Sequence, residues 1–164
     1  MTPVELNPAQ AELLNTRCDV VIGSCSAARL PSVCWGMGGR VHGDRRRVTV
    51  WLRKDQAGPL LDDVAATGAI SAVFNVPVTL ETLQLKGRDA SIRAADGADA
   101  EWLHGYIGRL VREIALVQFD ERFARAAFEQ DIASLIAIEF TIAAIFMQTP
   151  GPQAGQVANA HGEP

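Results

Sequence analysis

The sequence predicts a mainly β fold of the α+β class, in which helices are inserted between the strands of an antiparallel barrel or sandwich. Two observations lead to this class. About six segments have the period and residue types of strands, and they do not alternate regularly with helices as they would in a Rossmann fold. The chain has 164 residues, of which 48% are hydrophobic, and this suits one core. We therefore expect a single domain over residues 1–148 and a Gly/Pro-rich tail at 149–164.

Composition argues against several classes of partner. The formal net charge is -4, so a surface that coats nucleic acid is not expected. The longest apolar stretch, 132–147, carries Glu139 near its centre and is short for a membrane span, so we expect it to be core. Three cysteines without a CxxC pair, and a first segment without a signal-peptide pattern, favour a cytoplasmic protein.

The first elements follow from local signals. Asn7, Pro8 and Gln10 form a capping pattern that opens a short helix. Runs of β-branched and alternating residues then indicate strands. We place these strands at 18–27, 32–42 and 47–53. In the third strand, alternation places Val48, Val50 and Leu52 on one face and Trp51 on the other.

The period changes after the third strand. Leucine and valine at helical spacing predict a helix over 56–67, with Pro59 in its first turn and Gly68 as its C-cap. The remaining elements are predicted as a hairpin of strands at 69–76 and 80–92, helices at 99–114 and 119–128, and a strand at 134–146.

Two familiar motifs are incomplete. Gly36, Gly38 and Gly39 do not continue into a dinucleotide-binding pattern, because Val41 stands where the third glycine belongs. We interpret this cluster as a bend or bulge in a curved strand. The histidines are scattered, and none has a second ligand at metal-binding spacing, so we predict no metal site.

Positive charge gathers around the third strand of an otherwise acidic chain. Arg47, Arg53 and Lys54 bracket this strand, which leads to the N-terminus of the helix over 56–67. Free backbone N–H groups at a helix N-terminus attract anions, most often phosphate. The pattern therefore predicts an anion site, with a solvated charged surface as the alternative.

A polar ladder follows in the strand over 80–92. Alternation places Thr82, Gln84 and Lys86 on one face, in a row of about 13 Å. Such groups are costly to bury without partners, so they face either water or a polar ligand such as the edge of a heteroaromatic ring.

The order of these pieces resembles the pyridoxamine 5'-phosphate oxidase-like family, the FMN-binding split barrel. The resemblance lies in VTVWL, QAGPLL, TGAISAVFNVP and ETLQLKG, between about Cys25 and Arg93, and continues more faintly through IAIEFTIAAIFMQTPGPQAG. It implies a six-stranded antiparallel split β-barrel with peripheral helices, which forms a homodimer and binds FMN in a groove between the subunits. A flavin-dependent oxidoreductase, with a small molecule or a nicotinamide as electron donor, is the activity that this resemblance implies.

The resemblance also implies a set of cofactor-binding residues. Val50, Trp51 and Leu52 would lie along the flavin ring, and Thr82, Gln84 and Lys86 would face its polar edge. The phosphate would be bound by Arg53, Lys54 and Gln56, and Arg47 could replace one of these cations.

The chain departs from the family pattern at two places. Family oxidases commonly carry a Ser-Arg-Lys type cluster where this chain has Gln56, Ala57 and Gly58, which predicts weaker phosphate binding. The C-terminal Trp and Arg that bind pyridoxal phosphate in the true oxidase are not recognisable, so a vitamin B6 enzyme is not expected.

Two alternatives stay open. The groove could serve a non-catalytic module for haem, a deazaflavin or another flat ligand, with the tail residue His161 as a conceivable haem ligand. The domain could also be structural and use the apolar face of residues 136–142 in a larger assembly.

Overall fold

A computed structural model describes residues 4–158 of the chain, so His161 lies outside the described residues. The helices are α1 (Pro8–Leu14), α2 (Gly58–Thr67), α3 (Gly97–Leu116) and α4 (Glu121–Phe128), with a short 3₁₀ helix at Ile132–Ser134. The strands are β1 (Asp19–Cys25), β2 (Pro31–Val41), β3 (Arg47–Arg53), β4 (Ile70–Asn75), β5 (Thr82–Gly87), β6 (Ser91–Ala94), β7 (Leu135–Thr141) and β8 (Ala144–Met147).

The strands form one antiparallel sheet in the order β6-β7-β3-β2-β1-β4-β5-β8. This confirms the mainly β, α+β class. Eight strands replace the predicted six, because two of the predicted strands are each interrupted.

The first interruption divides the predicted strand over 80–92 into β5 and β6. After Gly87 the chain leaves the β4 edge: the backbone N–H of Ala90 donates to the carbonyl of Gly68. The Asp89 carboxylate accepts the backbone N–H of Thr141, which directs the chain toward β7. β6 then pairs with β7 instead of continuing the hairpin.

The second interruption divides the predicted strand over 134–146 into β7 and β8. Two consecutive residues donate hydrogen bonds to different strands. The N–H of Ile142 donates to the carbonyl of Arg46, which directly precedes β3, and the N–H of Ala143 donates to the carbonyl of Lys86 in β5. As a result β7 pairs with β3, whereas β8 pairs with β5. One continuous segment, 135–147, therefore joins both ends of the strand set β3-β2-β1-β4-β5.

Two hydrophobic clusters hold the fold together. The larger cluster packs against one face of the sheet and includes the predicted apolar face of β3, formed by Val48, Val50 and Leu52. The smaller lies under α3 and includes Trp51 and Tyr106. Because neighbouring side chains point to opposite faces of a strand, β3 contributes residues to both clusters.

The glycine cluster of β2 forms the predicted bulge, because its register with β3 shifts between Gly36 and Gly38. Gly39 is a site of close packing: a Cβ atom there would lie 2.3 Å from Cε1 of Phe74 in the larger cluster. Its carbonyl accepts the indole N–H of Trp102 from α3 at 3.1 Å. Only a residue without a side chain fits between the core and this helix.

The helix that follows β3 has the predicted end signals. Pro59 lies in the first turn of α2, and Gly68 is its C-cap in the left-handed region, with φ of 65°. The N-cap is Ala57, which provides no side-chain hydrogen bond to the first turn. None of the helices within residues 4–158 is both long and apolar enough to cross a membrane.

Candidate functional site

The central residues of β3 are packed inside the chain. Val50, Trp51 and Leu52 are all 0% exposed. Val50 and Leu52 belong to the larger cluster and Trp51 to the smaller one. Their side chains contact the protein's own core, so the contact of a flavin ring with this strand stays a prediction.

The cations predicted for the phosphate are separated by the structure. Arg53 donates from Nε and Nη2 to the two carboxylate oxygens of Asp55, at 3.1 and 2.6 Å. Lys54 donates from Nζ to the carbonyl of Ala133, at 2.8 Å. Arg47 lies at the other end of β3, about 20 Å away by strand rise, and pairs with Asp44 at 2.7 Å. These cations therefore do not form one cluster.

The polar ladder of β5 points away from the core, as predicted, and is bonded to neighbouring strands. The Thr82 hydroxyl is 3.0 Å from Oδ1 of Asn75. Gln84 donates to the hydroxyl of Ser71 at 2.8 Å. The ammonium of Lys86 lies 4.7 Å from the ring centre of Phe146, a cation–π distance.

We call the surface that carries this ladder the outer face: the side chains of β2, β1, β4, β5 and β8 that point away from the larger cluster. Directly paired residues cross all five strands in one row, namely Trp35, Val21, Val73, Gln84 and Phe146. Trp35 is 53% exposed and the neighbouring Val33 70%. Apolar groups are thus open to solvent on the surface that carries the ladder.

A cavity of about 460 Å³ opens where β2 and β3 meet the turn between α3 and α4. We call it the aromatic cavity. Its aromatic walls include Trp35, Phe119, Phe123 and Phe128, and its polar edge is formed by Asp19, Arg53, Gln56 and Asn75. Phe119 and Phe123 are 58% and 65% exposed, which is unusual for phenylalanine and places their rings within reach of a ligand.

Asp19 is the carboxylate at the edge of this cavity. Asn75 donates to its Oδ1 at 2.8 Å. Burial raises the pKa of Asp19, and the hydrogen bond from Asn75 opposes that shift. A half-buried carboxyl with a raised pKa in an apolar cleft is typical of a binding site.

Lys86 lies in a second cavity on the outer face, of about 640 Å³, with Ser24, Ser71, Arg88 and Phe146. Apart from Arg47, the predicted residues are thus distributed in three ways. Arg53 and Gln56 reach the aromatic cavity, the ladder lies on the adjoining outer face, and Lys54 and the three central residues of β3 reach neither.

Arg47 lines a separate polar pocket of about 170 Å³, together with His42, Ser91 and Glu139. His42 Nε2 and Thr49 Oγ1 are 2.9 Å apart. Burial lowers the pKa of His42, and the positive charges of Arg40 and Arg47 lower it further. The charged side chains that line the pocket already have partners, such as Asp44 for Arg47 and Arg93 for Glu139.

Sequence reasoning missed Asp19, Trp35, Phe119 and Phe123 as candidate site residues. They come from β1, β2 and the α3–α4 region, so only the folded chain brings them together. No group of three or more His, Cys, Asp or Glu side chains within residues 4–158 is arranged to hold a metal ion.

No protein-family model and no curated protein matches the chain. Several solved structures match it. HupZ from Group A Streptococcus has a TM-score of 0.54 at 15% identity, over 92% of this chain and 99% of that one. A candidate pyridoxamine 5'-phosphate oxidase from Lactobacillus delbrueckii has a TM-score of 0.53 at 10% identity, over 87% and 93%. HutZ, the haem storage protein from Vibrio cholerae, has a TM-score of 0.50 at 12% identity, over 88% and 95%. At these identities the likeness shows a shared fold.

Proposed function

We propose that this chain, which has the fold of pyridoxamine 5'-phosphate oxidase-like proteins, binds FMN at the aromatic cavity and the adjoining outer face. The observation that carries this proposal is the composition of the cavity. Exposed aromatic side chains form its walls, and Arg53 and Gln56 lie at one edge. Flat ring systems with one anionic end match that arrangement.

The size and chemistry of the cavity suit such a ligand. A volume of about 460 Å³ lies within the usual range of small-molecule sites. Trp35, Phe119 and Phe123 would stack on the ring, and Arg53 and Gln56 would hold the phosphate. Gln84 and Lys86, on the outer face, would provide hydrogen bonds and positive charge to the polar edge of the ring. Bound flavin supplies electron or hydride transfer, which makes an oxidoreductase the corresponding activity.

We further propose that two copies of the chain associate through the outer face as a homodimer. Exposed Val33 and Trp35 support this, because a row of apolar side chains on a sheet is more stable when covered. The pairing of segment 135–147 with both β3 and β5 supports a closed split barrel as the body of each subunit. The cysteines within residues 4–158 are all free, which supports a cytoplasmic location.

The decisive experiment uses the protein purified without added cofactor. Its visible spectrum is recorded, the released small molecule is identified by mass spectrometry, and its molar mass is measured by light scattering. A flavin spectrum with released FMN and a dimer mass is the expected result, after which NADH and NADPH are tested as electron donors. A colourless protein that does not bind added FMN at 100 µM would refute the proposal.

One specific observation favours a second candidate. HutZ, which shares the fold, is named as a haem storage protein. A haem spectrum in the same experiment would therefore identify haem as the ligand in place of FMN, and would favour a storage or binding module over an enzyme.

A further inference from the structure

Among the described residues that line the aromatic cavity, Arg53 is the only cation. A ligand phosphate in this cavity therefore depends on Arg53 for charge. Gln56 adds a neutral amide, and Ala57 at the N-cap of α2 adds no side-chain group.

Arg53 is already held by an anion. Its guanidinium donates two parallel hydrogen bonds to Asp55, at 3.1 and 2.6 Å. This fork geometry is the same one that arginine uses for phosphate, so the carboxylate occupies donors that a phosphate needs. Arg53, which lines the cavity, is 30% exposed and Asp55 is 62% exposed, so the ion pair is accessible from solvent.

The neighbouring cations do not compensate. Lys54 is turned toward the carbonyl of Ala133 and does not line the cavity. Arg47 lies at the far end of β3 in the polar pocket, where it pairs with Asp44.

We propose that Asp55 competes with the ligand phosphate for Arg53 and thereby determines how much the phosphate contributes to binding. This inference rests on the proposed function. Phosphate must displace the carboxylate or bind beside a like charge, and either event costs affinity. The cavity consequently recognises the ring of its ligand more strongly than the phosphate, and FMN and riboflavin bind with similar affinity.

The test compares the dissociation constants of FMN and riboflavin, measured by quenching of flavin fluorescence. Both ligands carry the same ring, so the ratio of their constants isolates the phosphate. The wild-type ratio is expected to be within about threefold. In Asp55→Asn, FMN should become about tenfold tighter relative to riboflavin, which corresponds to about 1.4 kcal/mol.

Asp44→Asn is the matched control, since it removes a carboxylate from another Asp–Arg pair, about 20 Å away by strand rise. It should leave the ratio unchanged. Arg53→Gln in the Asp55→Asn background should return the ratio to its wild-type value, because Asp55 acts only through Arg53. Asp55→Ser should repeat the result of Asp55→Asn, and circular dichroism checks that each variant is folded.

Each outcome decides a different question. An unchanged ratio in Asp55→Asn, with FMN bound, would overturn this inference and leave the proposed function standing. An equal rise in Asp44→Asn would also overturn it, because the effect would then not be specific to Arg53. Binding of neither flavin by any variant would overturn the proposed function and this inference together.

Discussion

Replacing Gly39 by alanine should destabilise the fold strongly, because the new methyl group has no space. Its Cβ would lie 2.3 Å from Cε1 and 2.8 Å from Cζ of Phe74, whereas ordinary carbon contacts begin near 3.4 Å. Phe74 is 0% exposed, so its ring must shift by about 1 Å within a packed core. Overpacking of this kind costs about 1–3 kcal/mol, and we expect the upper end here.

The assay is urea unfolding monitored by tryptophan fluorescence. Gly43→Ala is the control, because a Cβ at Gly43 meets no atom within 4 Å; its free energy of unfolding should stay within about 0.5 kcal/mol of the wild type. The double variant Gly39→Ala with Phe74→Leu should lose less free energy of unfolding than the sum of the two single variants, because leucine leaves room for the new methyl group.

Two results would refute this reasoning. A free energy of unfolding for Gly39→Ala within 0.5 kcal/mol of the wild type would show that β2 or Phe74 moves freely. Strict additivity with Phe74→Leu would show that the cost arises elsewhere.

Three other changes have measurable consequences. Tyr106→Phe removes the buried hydroxyl that donates to the carbonyl of Cys18 at 2.6 Å, and should lower the urea-derived stability by about 1–2 kcal/mol; an unchanged midpoint would contradict this role. Burial, followed by the charge of Asp19, raises the pKa of Cys18 to about 12 from an ordinary value near 9. The unfolded thiol therefore ionises first as the pH rises, and about 2 kcal/mol of stability should be lost by pH 10.5; Cys18→Ala should flatten this slope between pH 9 and 10.5. Lys86→Ala should lower the reduction potential of a bound flavin, measured by dye equilibration, because a cation stabilises the anionic reduced ring; an unchanged potential would remove Lys86 from the site.

The order of the elements could be predicted because its signals are local. Alternation marked β3, and Pro59 with Gly68 marked the ends of α2. The breaks after Gly87 and Thr141 could not be predicted in this way. They depend on which distant strand each segment pairs with, and the residue pattern along the segment does not specify that partner.

The candidate site was likewise predictable only where its residues are close in the sequence. Position after β3 was sufficient to predict that Arg53 and Gln56 lie close together, and both line the aromatic cavity. The binding of an anion there stays a prediction. Alternation predicted that Trp51 lies on the face opposite Val50, but it could not predict that α3 covers that face. The sequence indicated only that Phe119 and Phe123 belong to a helical segment; their exposure and their place in the cavity are evident only in the folded chain.

The double pairing of segment 135–147 has a consequence for how the protein is made. During synthesis β1 to β5 emerge first, and the edges of β3 and β5 stay unpaired until residues 135–147 leave the ribosome. Contacts such as Thr49 with Glu139 span about ninety residues, so closing them is slow. Two open strand edges during that interval invite pairing with other chains. A truncation before residue 135 should therefore aggregate instead of remaining as a soluble partial domain.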